Sequence, residues 1–234
     1  MASSSSLCPR ILSALRRFAT LTFGESAPLP AVENARVLLV GLNNPGSAYA
    51  GTRHNVGEDA LRAAALRHGF GAWAHHGNAQ ISTGRVGDVG VVAALPTTYM
   101  NRSGAAVAAL ARYYGLTAEQ VVLLHDDLDL AVGRLKVKRG GSDGGHRGIR
   151  STAASLRTDS FWRLRIGIGR PPDGVAVPAF VLQRFEDGEC EAVDAACGAV
   201  ALHLGVLLGG GGDEATTGAA ASSFLNKVAA GRGR

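Results

Sequence analysis

Short apolar runs that end at Gly, Asn or Pro turns alternate along this chain with segments of helical period. Ala35 to Leu42 (ARVLLVGL) is apolar and stops at such a turn, which predicts a buried strand. Ile81 to Val86 and Val89 to Leu95 predict two strands joined at Gly87 and Asp88, and Gln120 to His125 (QVVLLH) another buried strand. Arg134 to Lys138 alternates basic positions with Leu135 and Val137, the pattern of a half-exposed strand. Arg163 to Gly169 (RLRIGIG) predicts a further strand. Helices are predicted at Glu58 to Leu66, Gly104 to Tyr114, Arg147 to Leu156 and Glu189 to Leu208. The last of these is stopped by Gly209 to Gly212, and a short helix near Ser222 to Ala230 closes the chain. Strands and helices alternate, so the fold class is α/β, a single domain with a mixed twisted β-sheet flanked by helices.

Composition narrows the class. The 234 residues are 46% hydrophobic and 18% charged, which suits one globular domain and argues against a disordered chain. Three cysteines, Cys8, Cys190 and Cys197, with no C-x-x-C, argue against a disulfide framework and a cysteine zinc site. Cys190 and Cys197 lie seven apart and read as core positions of one helix face. The longest apolar stretch, Cys197 to Leu208, is too short to span a bilayer, so no membrane role is expected.

Charge is placed unevenly. Residues 1–24 are Ser-rich, carry Arg10, Arg16 and Arg17 and hold no acid, the pattern of an organellar transit peptide. Residues 25–34, with Pro28 and Pro30, read as a linker, so 1–34 is assigned to address and linker and 35–230 to the domain. Without its three N-terminal arginines the chain keeps 21 basic residues against 19 acids, a charge of +2. Arg134 to Arg170 alone holds ten basic residues and two acids, a net +8, which leaves −6 elsewhere. Such asymmetry points to a polyanion site, unless these side chains scatter over several faces.

Polar residues gather after predicted strands, where open α/β sheets place their sites. His54 follows one such strand end, and an imidazole is suited to abstract a proton near neutral pH. Asp126 directly follows QVVLLH and could hold the tautomer of that histidine. Asn44 and Asn101 are neutral amides able to orient an acyl group or stabilise an oxyanion. GGSDG matches the G-x-S-x-G pattern at Ser142, a weak signal in a chain with 32 glycines. Asp126, Asp127 and Asp129 could hold Mg²⁺, but carboxylates at a strand end are often only a turn.

Four segments, GLNNPGSAYAGTRHNVG, LPTTYMNRSG, HDDLDLAVGRLKVKRGGSDGGHRG and FWRLRIGIGRP, resemble in order and spacing those of the bacterial-type peptidyl-tRNA hydrolase family. The likeness runs from Ala35 to Ser223. It implies a monomer with a three-layer fold that hydrolyses the ester between a stalled peptide and its tRNA, without metal or organic cofactor. It implies that His54 activates water and that Asp126 supports it. It implies that Asn44 distinguishes N-blocked peptidyl esters from free aminoacyl esters, and that Asn101 holds substrate near the scissile bond. Tyr49, Tyr99 and Met100 match positions lining the peptide and terminal-adenosine cleft, as does His146 beside it. Lys138 and Arg165 match a clamp on the tRNA 5′-phosphate, with Lys136 adjacent; phosphate contacts position tRNA without reading its sequence.

One position departs from the resemblance. Arg147 stands where the family usually has Asn, and a guanidinium offers no acceptor. Its charge could meet tRNA phosphate instead, or could hinder the peptide. Asp127 stands in place of the more usual Glu, a mild change. Two other readings are weighed: a non-catalytic relative serving organellar intron splicing through a partner protein, and a hydrolase using Ser142. The expected compartment is the mitochondrion, with the chloroplast as alternative.

Overall fold

The structure, a computed structural model, describes residues 35–208 together with Ser223. The expected transit peptide, the linker, the Gly209 to Gly212 stop and, Ser223 apart, the closing helix lie outside the described residues.

The strands are β1 (Ala35–Gly41), β2 (Ala74–His76), β3 (Ala79–Val86), β4 (Val89–Pro96), β5 (Val121–Asp127), β6 (Leu135–Arg139) and β7 (Trp162–Gly167). The helices are α1 (Val56–Arg67), α2 (Ser103–Tyr113), α3 (Arg147–Leu156), α4 (Val177–Phe180) and α5 (Asp187–Leu208). The seven strands form one mixed sheet in the order β2-β3-β4-β1-β5-β7-β6. β4, β1, β5 and β7 run parallel, while β2, β3 and β6 add antiparallel edges.

β1 shows why helices cover both faces. Its side chains alternate, and both sets are apolar. Leu38 and Val40, with Leu42 just beyond, pack beneath α2 and α3, against Val107, Leu110 and Ile149. Leu39 points the other way, into a core shared with Val56, Ala60 and Leu61 of α1 and with α5. α5 is long and apolar enough to cross a membrane by length and composition. Its apolarity serves a packing stripe, however. Val193, Ala196, Cys197, Val200, Ala201, Leu204, Leu207 and Leu208 follow the helical period and are buried. Cys190, expected in the core, is only half-buried, because it sits at the exposed start of this helix.

Two elements were not expected. β2 has three residues, two of them histidine, and no alternation to read. α4 is a single turn, VPAF, with proline at its start. The other predicted elements agree with the structure to within about two residues, the uncertainty ordinary to element ends.

Candidate active site

The parallel strands β1 and β5 deliver their C-terminal ends side by side, and the site is built there. After β1 the chain turns through a 3-10 turn, Arg53–Asn55, into α1. Two backbone bonds fix that turn: Arg53 N–H donates to Gln183 O (2.9 Å) and His54 N–H to Val181 O (2.8 Å). Gly57, in the first turn of α1, lies directly on β5. A Cβ there would stand 2.2 Å from the carbonyl oxygen of Leu124, so only glycine allows the approach. This contact brings His54 against the end of β5, where its Nδ1 meets Asp126 Oδ1 at 2.8 Å.

Arg53 secures the turn from beneath. Its guanidinium binds both oxygens of Glu189 at 2.9 and 2.7 Å and lies between the rings of Phe180 and Phe185. The first turn of α5 is thereby tied to the residue next to His54. Arg53 occurs within the TRHN string, yet its partner lies 136 residues away and leaves no local signal.

Asp126 Oδ1 receives a second imidazole: His146 Nε2 stands 2.9 Å from it. His146 is the N-cap of α3, and its Nδ1 accepts the backbone N–H groups of Gly148 (3.2 Å) and Ile149 (3.3 Å). A nitrogen that accepts carries no proton, so Nε2 is the protonated nitrogen and donates to Asp126. Both ring nitrogens of His146 are therefore engaged within the protein. Its contribution to the cleft wall is ring surface, with both nitrogens already engaged. The two flanking imidazoles hold the Asp126 carboxyl well below the ordinary range despite its burial. The donor atoms of His54, Asp126 and His146 lie within 4.8 Å of one another, the composition of a metal site. The chemistry does not fit one, because His146 Nε2 has no lone pair to offer while its Nδ1 caps α3.

His125 is also buried here. Its Nδ1 donates to the carbonyl of Asp126 (2.7 Å), and burial pushes its pKa down to about 3. It is a neutral packing histidine beneath His146, whose ring centroid is 4.9 Å away.

The amides of Asn44 and Asn101 approach from the neighbouring loops. Asn44 Oδ1 accepts the Met100 N–H at 2.9 Å, so its NH₂ is the group left to donate. Its backbone is held by Asn55, which accepts from Asn44 N (2.8 Å) and donates to Asn44 O (2.9 Å). Asn101 is exposed on the turn after Tyr99. His54, Asp126, Asn44, Tyr99, Met100, Asn101, His146 and Arg147 all border one cleft of about 740 Å³. Val177, Val181 and Leu182, beyond β7, give this cleft an apolar wall. Tyr49 does not border it; its ring meets Tyr99 edge-on at 6.2 Å.

The cleft opens onto the β6–β7 end of the sheet. Lys136 pairs in register with Arg165, and Lys138 with Arg163, which sets all four side chains on one face. Lys138 and Arg165 border the cleft, and Lys136 lies beside them on the edge strand. The basic stretch is not uniformly available. Arg163 is buried and donates to the carbonyls of Gly141 and Ser142. Arg165 pairs with Asp127, Arg170 with Asp129, and Arg150 with Asp143. Among the described residues Lys136 and Lys138 have no acidic partner.

The Asp127–Asp129 segment is a turn, with Asp127 Oδ1 accepting the Asp129 N–H at 2.8 Å. Ser142 lies in the seven-residue loop between β6 and α3, in which Gly144 and Gly145 both take positive φ (58° and 83°). A nucleophile elbow needs a sharp strand-to-helix turn, and this loop is not one.

Comparison with known proteins fits this architecture. The sequence model of the family described as "Peptidyl-tRNA hydrolase" matches residues 38–227. A peptidyl-tRNA hydrolase of Methylobacterium nodulans is 45% identical over 173 residues, covering 74% of this chain and 85% of the relative. One from Rhodospirillum rubrum is 42% identical over 193 residues, covering 82% and 75%. The crystal structure of peptidyl-tRNA hydrolase from Acinetobacter baumannii superposes with a TM-score of 0.72 at 30% identity, covering 85% of this chain and 97% of that one. The chain belongs to the peptidyl-tRNA hydrolase family.

Proposed function

We propose that this protein hydrolyses the ester bond between peptide and tRNA in peptidyl-tRNA, with His54 as the base that activates water. The single observation carrying the catalytic reading is the His54–Asp126 bond. It uses Nδ1 and leaves Nε2 as the nitrogen available to a water molecule in the cleft.

His54 Nε2 takes a proton from water as the oxygen attacks the ester carbonyl carbon. The negative charge that develops on the carbonyl oxygen is met by amide N–H donors, Asn44 Nδ2 and Asn101 being the candidates. Collapse breaks the bond to the ribose oxygen, which regains the proton from His54. The products are a free peptide acid and tRNA. Asp126 stays ionised throughout, holding the imidazole and its transient positive charge. Asn44 Nδ2 also suits the carbonyl of an acyl group that blocks the α-nitrogen, and Tyr99, Met100 and the apolar wall suit the peptide and terminal adenosine.

Lys136, Lys138 and Arg165, with Arg147 at the start of α3, form the tRNA-facing side. The enzyme acts as a monomer of residues 35–230, behind an organellar address in 1–34, with the mitochondrion the favoured destination. The splicing reading finds no support among the relatives described above, which are named as hydrolases. The test is turnover of peptidyl-tRNA by the wild-type protein and by His54→Ala.

A further inference from the structure

Asp126 offers the same oxygen to two imidazoles, His54 at 2.8 Å and His146 at 2.9 Å. The two N–H donors share one acceptor, and what one contributes alters what the other meets. The His146 donor is permanent, because the N-terminus of α3 fixes its tautomer through Gly148 and Ile149. The His54 donor belongs to the group that must gain and lose a proton.

We infer that His146 is a positioning residue for the hydrolytic reaction: it pins Asp126 from the α3 side and so fixes the oxygen on which the His54 imidazole is held. A carboxylate that already accepts one charge-assisted hydrogen bond presents less negative potential to its second partner. The same bond couples the His54 base to the glycine-rich loop ahead of α3, which Arg163 holds through Gly141 and Ser142. The inference rests on His54 being the base.

The surrounding charged and titratable groups are common to every variant considered. They are His125 on β5, the Asp127–Arg165 pair of β5 and β7, Arg147 on α3 and the Arg53–Glu189 pair that anchors α5. A change in the pH profile on altering His146 alone is then assigned to the shared oxygen.

The experiment is the pH dependence of kcat/KM for peptidyl-tRNA with wild type, His146→Asn and His146→Ala. Asparagine is a favoured N-cap whose amide can replace Nδ1 toward α3, but it ends short of where Nε2 sits. Alanine removes both roles. In each variant the acid limb should move upward by about one pH unit, and kcat should fall about tenfold. The alanine variant should lose more thermal stability than the asparagine variant, because it alone also loses the α3 cap. An acid limb in His146→Asn at the wild-type pH would overturn the inference and leave His146 a helix cap. Should neither variant fold, histidine ¹⁵N resonances of the wild type decide: Nε2 of His146 protonated and Nδ1 bare supports it, and the reverse tautomer overturns it. Failure of the base reading is separate, since it would show as activity surviving in His54→Ala.

Discussion

Arg53 and Glu189 meet in a two-pronged pair, at 2.9 and 2.7 Å, one residue before His54 in the chain and at the first turn of α5. The arginine side chain is 3% exposed and the glutamate 23%. Breaking one partner of a buried pair strands the other charge and costs about 3–5 kcal/mol; the partial exposure of Glu189 places Arg53→Met near the lower figure. Chemical denaturation of that variant should show this loss. Its kcat should fall as well, because the turn holding His54 loses its anchor. A variant with wild-type stability and kcat would show that the pair is incidental.

His125 makes an acid-stability prediction. Its pKa falls from 6.5 to about 3 in the folded protein, so below pH 6.5 the unfolded chain binds a proton that the folded chain refuses. Stability from this group is complete above pH 6.5 and is lost as pH falls toward 3, by about 1.4 kcal/mol per pH unit. Asp126 has the opposite chemistry and a lower window. Its depressed carboxyl contributes fully above the unfolded value near 4 and is lost only below it. Denaturant unfolding at pH 7, 6 and 5 should show a steeper decline for wild type than for His125→Asn. Parallel curves would contradict the assignment.

Lys138 and Arg147 predict the salt dependence of substrate binding. Each phosphate contact contributes a slope of roughly 0.7–0.9 to the dependence of log affinity on log salt. Lys138→Ala and Arg147→Asn should each raise KM and flatten that slope by about this amount. Asp127→Asn should lower KM, since it releases Arg165 from its acidic partner. KM values that change with no change in slope would mean that these side chains touch something other than phosphate.

The sequence made the sheet legible because its strands are buried on both faces and read as apolar runs. It also brought Asn44, His54, Asn101 and Asp126 forward, each in a polar segment that follows such a run. What it hid depends on contacts between distant segments. Arg53 reads as one more basic residue until Glu189 is placed beside it. His146 reads as a substrate contact, because nothing in GGHRG shows that both its nitrogens are spent on α3 and Asp126. The basic count between Arg134 and Arg170 is correct, but Arg150, Arg165 and Arg170 carry acids that only the fold brings near. β2 and α4 are too short to leave a period.

The most direct test of the account is the single-turnover rate of peptidyl-tRNA hydrolysis at neutral pH by wild type and His54→Ala, with folding of both verified by circular dichroism. Loss of the base should slow the variant by about 10²–10⁴-fold or more while leaving tRNA binding intact. Near-wild-type turnover by His54→Ala would contradict the assignment of His54 as the group that activates water.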